Sequence, residues 1–420
     1  MTRRLANLPA GIRWMLYAAG GILVLTLVQQ WGTDDTSRLT ANGTSSTMLR
    51  WSMVVLLAGL GGLFSERAGI VNIGLEGMLV LGTWFGAWGA LQWGPWGGLL
   101  LGAAGGAVGG LIHAVATIGF GIDHIVSGVA INLIAPGAMR YMSSEIFVNY
   151  EGGSVSDSPR VEEFGDFTMP ILAGGNFFGW DSPNFLRWLS EKEWFYLSEL
   201  ASFSRGLLTN LSYFTMIALA LVPLTTWVLW RTRFGLRVRI SGERPEAGES
   251  LGVNIIRHKY VAVMISGALA GLGGAYIVLE LTGFYKENQT AGRGFIGLAA
   301  LIFGNWRPSG ILIGALLFGY PDGLQLRDLQ GNATHALLLV FTIVLASVSV
   351  SAARQNNRTD AVLSGILALG VGYWYFTTDS VPTWFPQLTP FIVVLLVLIF
   401  YSQRLRMPAA LGQPYRKGDV

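Results

Sequence analysis

Long apolar runs recur along this chain of 420 residues, and they restrict its fold more than any other feature. Most are about 17 to 25 residues long, the length of an α-helix that crosses the roughly 30 Å hydrocarbon core of a bilayer. Only 13% of the residues are charged, whereas soluble domains carry roughly a quarter. We therefore predict an all-α polytopic membrane protein with about ten spans, at residues 14–31, 48–64, 69–91, 96–119, 124–142, 207–230, 258–282, 333–350, 361–377 and 389–403.

Two long connections carry charge of opposite sign. Residues 143–206 contain ten acidic and four basic side chains, together with glycines and prolines that interrupt helices. Residues 231–259 contain seven basic and three acidic side chains, the excess expected of a cytoplasmic loop. Counting spans from a cytoplasmic N-terminus agrees with this. We therefore predict one transmembrane domain over residues 1–420, with an external acidic loop at 143–206 and a cytoplasmic loop at 231–257.

A short helix is predicted inside the basic loop, from about residue 245 to 251. Pro245 is suited to the first helical position, Glu246 and Glu249 favour the first turn, and Gly252 can end the helix. The loop has two interpretations. Its positive charge can set the topology by contacting anionic lipid, or the loop can be a docking surface for another protein.

Polar residues interrupt the apolar runs at two places. Residues 65–82 carry Glu66, Arg67, Asn72 and Glu76 between two apolar stretches, with glycines at 69, 74 and 77. Such a segment persists in hydrocarbon only if protein buries it or it lines a water-filled cavity, which suggests a transport path. In 294–319 the sequence Asn-Trp-Arg-Pro interrupts a second run, which crosses as a broken helix or turns back as two half-helices. The positive-inside rule favours the second arrangement.

The candidate pathway residues are polar groups within these apolar regions. Their amide and carboxylate groups could recognise a neutral polar solute, or they could make hydrogen bonds between helices. Glu76 needs a partner or water wherever it lies. The candidates are Asn72, Glu76, Asn132 and Asn305.

The sequence gives little indication of ATP hydrolysis, catalysis or metal binding. The sequence has no GxxxxGK[ST] phosphate loop and no clustered Asp, His or Ser set, so we expect neither ATP hydrolysis nor catalysis by this chain. It has no cysteine, and its four histidines show no metal-ligand spacing. We expect His113 to be a hydrogen-bonded structural residue and Asp123 to cap a helix.

Several motifs together resemble one family. They are ERAGIVNIGLEGMLVLG at 66–82, RFGLRVRISGERPEAGESLGVN at 233–254, SGALAGLGGAY at 266–276 and GRGFIGLAALIFGNWRPSGILIGALLFG at 292–319. The chain resembles permease subunits of bacterial ABC importers of the group that takes up branched-chain amino acids, sugars and nucleosides. The NIGLEG motif is most similar to nucleoside importers that work with a basic-membrane-protein-type binding lipoprotein.

The resemblance implies a type II ABC importer-like fold and a division of labour. A second, homologous permease completes the channel, and an ATPase with two nucleotide-binding modules binds ATP and Mg²⁺, so this chain needs no cofactor. An external lipoprotein delivers the solute to the bacterial inner membrane. On this reading the short helix is the coupling helix that contacts the ATPase, through Pro245, Glu246, Ala247, Glu249, Ser250, Leu251 and Gly252.

The chain departs from the family pattern in two regions. The external loop 143–206 is longer than usual, and the hydrophobic segments within 361–403 look like an addition. Two alternatives remain open for the function. One is a permease for sugars or another small polar solute, and the other is an ion-coupled secondary transporter that uses Glu76, Asp123 or His335 as its ion site.

Overall fold

The computed structural model describes residues 10–31, 39–177, 179–327, 332–382, 385, 388–389, 391–395 and 405–415. Helices dominate these residues, as the apolar runs predict. They are α1 (Ala10–Trp31), α2 (Asn42–Arg67), α3 (Leu75–Ala114), α4 (His124–Ile146), α5 (Phe185–Ser190), α6 (Leu197–Gly206), α7 (Tyr213–Arg231), α8 (Arg233–Glu243), α9 (Pro245–Ser250), α10 (Ile255–Tyr276), α11 (Arg293–Phe303), α12 (Pro308–Gln325), α13 (Asn332–Arg354) and α14 (Arg358–Thr377). The helices α3 and α10 each continue into a π-helical turn, at Val115–Gly119 and Ile277–Thr282.

The predicted external loop is folded into short elements. Its strands are β1 (Asp166–Phe167), β2 (Asn176–Phe177) and β3 (Trp180–Asp181), and β4 (Leu211–Ser212) follows it. β2 and β3 pair antiparallel. The short helices α5 and α6 lie between β3 and β4.

Six helical stretches of the described residues are long and apolar enough to cross a membrane. They are Asn42–Arg67, Leu75–Gly119, His124–Asn149, Tyr213–Arg231, Ile255–Thr282 and Thr334–Arg354. The prediction of an all-α membrane protein is confirmed at this level. The predicted span 361–377 coincides with α14, which is not among the six, and residues 396–403 of the predicted span 389–403 lie outside the described residues.

The described residues form two compact units. The first combines those of Met1–Leu49, Phe167–Leu211 and Tyr320–Pro390. Its core includes Val28, Leu39, Leu324 and Leu337. The second combines those of Arg50–Asp166, Ser212–Gly319 and Phe391–Val420. The candidate pathway and coupling residues named above belong to the second unit, whereas His335 belongs to the first.

The long helix α3 is a hairpin of two antiparallel arms. Its backbone leaves helical geometry at Gly94, where φ is +70°, directly before Pro95. Beyond this point the chain returns along itself, because a Cβ built at Gly98 would lie 2.7 Å from the carbonyl oxygen of Gly86. The two spans predicted at residues 69–91 and 96–119 correspond to these arms, except that residues 69–74 are not helical and the first arm begins at Leu75.

Glycines allow α3 and α10 to cross at backbone contact. A Cβ at Gly106 would lie 2.1 Å from the carbonyl oxygen of Gly267, and one at Gly271 would lie 2.2 Å from that of Gly102. No side chain fits at these distances. This is the close packing that small residues permit between membrane helices.

The second interrupted run also reverses direction. Asn305 and Trp306 have φ values of +52° and +53°, and Pro308 begins α12. A Cβ at Gly310 would lie 2.3 Å from the carbonyl oxygen of Gly304, and one at Gly314 would lie 3.2 Å from Cα of Ala300. Later residues of α12 thus contact earlier residues of α11, so the two helices pack antiparallel after the turn. The reversal agrees with the alternative in which the run turns back as two half-helices, and its depth in the bilayer stays a prediction.

The Gly106 contact predicts a packing defect. Gly106→Ala should destabilise the fold by about 1 to 3 kcal/mol, because the methyl group forces the two backbones apart. Gly137→Ala on α4 is the matched control, since a Cβ there meets nothing within 4 Å. Thermal unfolding of the purified protein in detergent measures both variants, and equal midpoints would contradict the packing argument.

Candidate functional site

The segment of residues 68–74 is a non-helical link between α2 and α3, surrounded by apolar helices. Side chains bind its backbone groups. Ser65 donates to the carbonyl of Ile70 at 2.7 Å, and His124 Nδ1 accepts from the N–H of Val71 at 3.4 Å. The segment, which we call the broken segment, thus has hydrogen-bond partners that a helix would otherwise supply internally.

His113 holds the broken segment from the second arm of α3. Its Nε2 lies 3.0 Å from the carbonyl oxygen of Val71, and its Nδ1 lies 2.9 Å from the hydroxyl of Ser127. A carbonyl only accepts, so Nε2 carries a proton in this contact. His113 is fully buried. Its predicted role as a hydrogen-bonded structural residue is confirmed, and Asp123 caps α4 as expected.

Asn132 clamps the junction between the broken segment and α3. Its amide donates to the carbonyl of Ile73 at 3.0 Å, and its oxygen accepts from the N–H of Gly77 at 2.7 Å. The second contact satisfies one of the N–H groups that the start of a helix leaves free. The side chain is half-buried.

Asn72 is the buried amide at the centre of the broken segment. Its Nδ2 donates to Ser266 Oγ on α10 at 2.9 Å and lies 3.4 Å from Met78 Sδ. Its Oδ1 is buried and has no hydrogen-bond partner within the described part of the chain. An unsatisfied carbonyl-type acceptor costs free energy when it is buried, and it is the kind of atom that a solute donor can bind.

Glu76 caps the N-terminus of α11, the helix that precedes the interruption in residues 294–319. Its two carboxylate oxygens accept from the backbone N–H groups of Gly292 and Gly294, at 2.9 and 2.7 Å. These donors lie at the start of α11, where the helix dipole favours a negative charge. Glu76 is half-buried, so it performs a structural task without being sealed from its surroundings.

Asn305 lies elsewhere in the second unit. It occupies the turn between α11 and α12, where its Oδ1 accepts from the backbone N–H of Arg406 at 2.7 Å. The structure therefore gathers Asn72, Glu76 and Asn132 around the broken segment and places Asn305 against the C-terminal residues.

Glu66 and Arg67 both bind the turn between α11 and α12. Glu66 accepts from the indole N–H of Trp306 at 2.6 Å, and Arg67 donates to the backbone carbonyl of Trp306 at 2.8 Å. Arg67 also lies 3.6 Å from Glu243 at the end of α8. Trp306 is not among the residues that the sequence singles out. An indole donor beside a charged residue in NWRP was the only available signal.

The predicted short helix is present as α9, and Pro245 and Gly248 form its buried side. A Cβ at Gly248 would lie 2.5 Å from Ile240 of α8. Gly252, with φ of +77°, ends the helix as predicted. Leu251 is 78% exposed. The other exposed residues of the predicted set are Glu246, Ala247, Ser250 and Gly252, while Glu249 is half-buried.

The end of α8 touches the beginning of the broken segment. A Cβ at Gly242 would lie 2.4 Å from the carbonyl oxygen of Arg67 and 2.8 Å from the N–H nitrogen of Gly69. The basic loop and the broken segment are therefore in backbone contact. Among the described residues no cluster of three or more His, Cys, Asp or Glu could hold a metal ion.

Comparison with known proteins finds relatives at 30% identity or more. The nucleoside ABC transporter permease NupC of Lactococcus lactis is 33% identical over 318 residues, which are 72% of this chain and 90% of NupC. The guanosine ABC transporter permease NupQ of Bacillus subtilis is 30% identical over 380 residues, 88% of this chain and 95% of NupQ. TsgC13 of Haloferax volcanii, provisionally named a glucose ABC transporter permease, is 31% identical over 383 residues, 90% of this chain and 98% of TsgC13.

L. lactis and B. subtilis each have a second permease that matches this chain at lower identity. These are the nucleoside permease NupB of L. lactis at 24% identity and the guanosine permease NupP of B. subtilis at 23%. No solved structure matches this chain.

A family model described as the permease component of the branched-chain amino acid transport system matches residues 44–371. This range contains the broken segment, α8, α9 and the turn between α11 and α12. The chain is therefore a member of this ABC transporter permease family.

Proposed function

We propose that this chain is the membrane-spanning subunit of an ATP-driven importer and forms the translocation path for nucleosides. The similarity to NupC and NupQ over most of the chain carries the proposal, because both are nucleoside or guanosine permeases by name. The broken segment supports it physically, since a non-helical polar segment among membrane helices is where transporters place their solutes.

The proposed assembly has three kinds of partner. A second, homologous permease completes the channel, a reading supported by the paired names NupC and NupB, and NupQ and NupP. A separate ATPase with two nucleotide-binding modules binds ATP and Mg²⁺, and an external binding lipoprotein delivers the solute. We place the complex in the bacterial inner membrane with this chain's N-terminus in the cytoplasm, and propose about ten spans in a type II importer fold.

In the proposed mechanism the conformational change driven by ATP begins at α9. Its buried side rests on α8, and its other side offers Glu246 and the exposed Leu251 to a partner. The end of α8 contacts the broken segment through Gly242 and Arg67. A partner that rocks α9 when it binds or hydrolyses ATP would therefore bias the conformation of the broken segment.

The proposed pathway residues are Asn72, Glu76, Asn132 and Asn305. The best supported is Asn72, whose buried Oδ1 is left without a protein donor. Nucleosides carry hydroxyl and amino groups, and such an oxygen can accept hydrogen bonds from them. Glu76 and Asn132 shape the path by holding its ends.

The similarity to TsgC13 favours a second candidate, a sugar permease that uses the same machinery. Sugars also present hydroxyl donors, so Asn72 does not discriminate between the two solutes. An ion-coupled secondary transporter is disfavoured by membership of the ABC permease family.

Solute choice can be tested directly. Cells that express the chain with its partners should take up labelled guanosine, and excess unlabelled inosine should compete while glucose should not. Uptake should fall when ATP is depleted and survive an uncoupler. Competition by glucose alone would replace the nucleoside assignment with the sugar one, and transport by this chain alone in liposomes with an ion gradient would refute the ABC mechanism.

The coupling assignment predicts a loss of ATPase association. Reversing Glu246 and Glu249 to Lys, or deleting residues 246–251, should abolish co-purification with the ATPase and transport, because α9 loses its docking surface, while membrane insertion remains intact. The control reverses the exposed Glu151 and Glu162 of the external loop to Lys and should keep ATPase association. Normal uptake in the α9 variants would refute the assignment.

The pathway assignment predicts different effects for substitutions of Asn72 and Glu76. Asn72→Ala should impair uptake and solute-stimulated ATPase activity more than assembly, since it removes the acceptor and the bond to Ser266 while Ser65, His113 and Asn132 still bind the broken segment. Glu76→Ala should also lower thermal stability by roughly 1 to 2 kcal/mol because it uncaps α11, and Glu76→Gln should fall between it and the native protein. Unaltered uptake in both Ala variants would make the residues structural.

A further inference from the structure

The residues 405–415, which we call the C-terminal strap, lie against the proposed coupling region. Two backbone donors of the strap bind the end of α8. Ala410 donates to the carbonyl of Gly242 at 2.8 Å, and Ala409 donates to the carboxylate of Glu243 at 3.2 Å. These contacts place the strap on the helix that precedes α9.

The strap also binds both interrupted regions of the chain. The N–H of Gly412 donates to the carbonyl of Gly69 in the broken segment at 3.1 Å. The N–H of Arg406 donates to Asn305 in the turn between α11 and α12 at 2.7 Å. One stretch of eleven residues, numbered 405–415, therefore joins α8, the broken segment and the turn.

Tyr415 extends these contacts to α9 and α10. Its hydroxyl donates to Glu249 Oε2 at 2.5 Å, and its ring lies 5.5 Å from the ammonium of Lys259. Lys259 is 1% exposed, so the electron-rich face of the ring stabilises a charge that has little water. Desolvation, followed by the hydrogen bond and charge of Glu249, raises the pKa of Tyr415 to about 12.

We propose that the C-terminal strap fixes α9 against the broken segment and so transmits motion between them, with Tyr415 as the positioning residue. The transmission role rests on the proposed function, in which α9 is the site of ATPase action. The contact of Gly242 with Arg67 joins α8 to the broken segment, but α9 itself is attached through Gly248 and through Tyr415. Tyr415 therefore adds a second link, through the strap, between α9 and the broken segment.

Three variants test the strap. Tyr415→Phe keeps the ring over Lys259 and loses the bond to Glu249, whereas Tyr415→Ala loses both. A chain ending at residue 404 lacks the strap, and a chain ending at residue 415 is its matched control. Tyr373→Ala, at a tyrosine 74% exposed on α14, is the control for the substitution itself.

The first measurement is amide hydrogen exchange in the purified permease, without partners. Tyr415→Ala and the chain ending at 404 should raise exchange at residues 245–252 by about fivefold or more, with Tyr415→Phe between them and the controls unchanged. The chain ending at 404 should also raise exchange at residues 68–74. Unchanged exchange in all variants would overturn the proposal.

The second measurement uses proteoliposomes with the ATPase, second permease and binding protein. Tyr415→Ala should retain ATPase association and ATP hydrolysis while the solute transported per ATP falls by about fivefold or more. Tyr415→Phe should recover part of this ratio. A fall in association with an unaltered ratio would overturn the transmission role. If the native chain fails to associate with an ATPase, the proposed function is refuted. Raised hydrogen exchange in the variants would then still establish the strap contact.

Discussion

A non-helical backbone among membrane helices must find hydrogen-bond partners outside its own segment, and the rest of this structure depends on that constraint. Between α2 and α3 many of these partners are side chains. Ser65, His113, His124 and Asn132 bind the carbonyl and N–H groups of residues 70–73. These side chains come from α2, the second arm of α3 and α4, so the helices can meet only in an arrangement that brings them to the broken segment.

The same constraint explains why the two interrupted regions are joined. Glu76, directly after the broken segment, accepts from Gly292 and Gly294 at the start of α11, while Glu66, directly before it, accepts from Trp306 at the other end. Two carboxylates thus bind the start of α11 and the turn that follows it. The broken segment is therefore joined to α11, and the contact of Gly242 with Arg67 extends this connection to the basic loop.

Much of the helical architecture was predictable, because each relevant signal is local in sequence. Apolar runs predicted the membrane helices, and Pro245 and Gly252 framed a helix whose observed bounds are Pro245–Ser250. The interruption at Asn305 predicted a break before Pro308. Partners distant in sequence were not predictable. Nothing near Glu66 indicates that it binds an indole 240 residues away, and the contacts of the C-terminal strap join residues separated by up to 343 positions, as in Gly69 and Gly412.

By itself the sequence determined that this is a membrane protein, where its helices break and which polar residues need partners, because hydrophobic length and helix termination depend on neighbouring residues. The motifs near Asn72 and Pro245 also indicated the permease family. Only the tertiary structure decided what those polar residues do. In the structure His113 and Asn132 bind the broken segment, Glu76 caps α11 and Asn305 contacts the strap. These roles depend on packing, because hydrogen bonds form only between atoms that it brings within about 3 Å of each other.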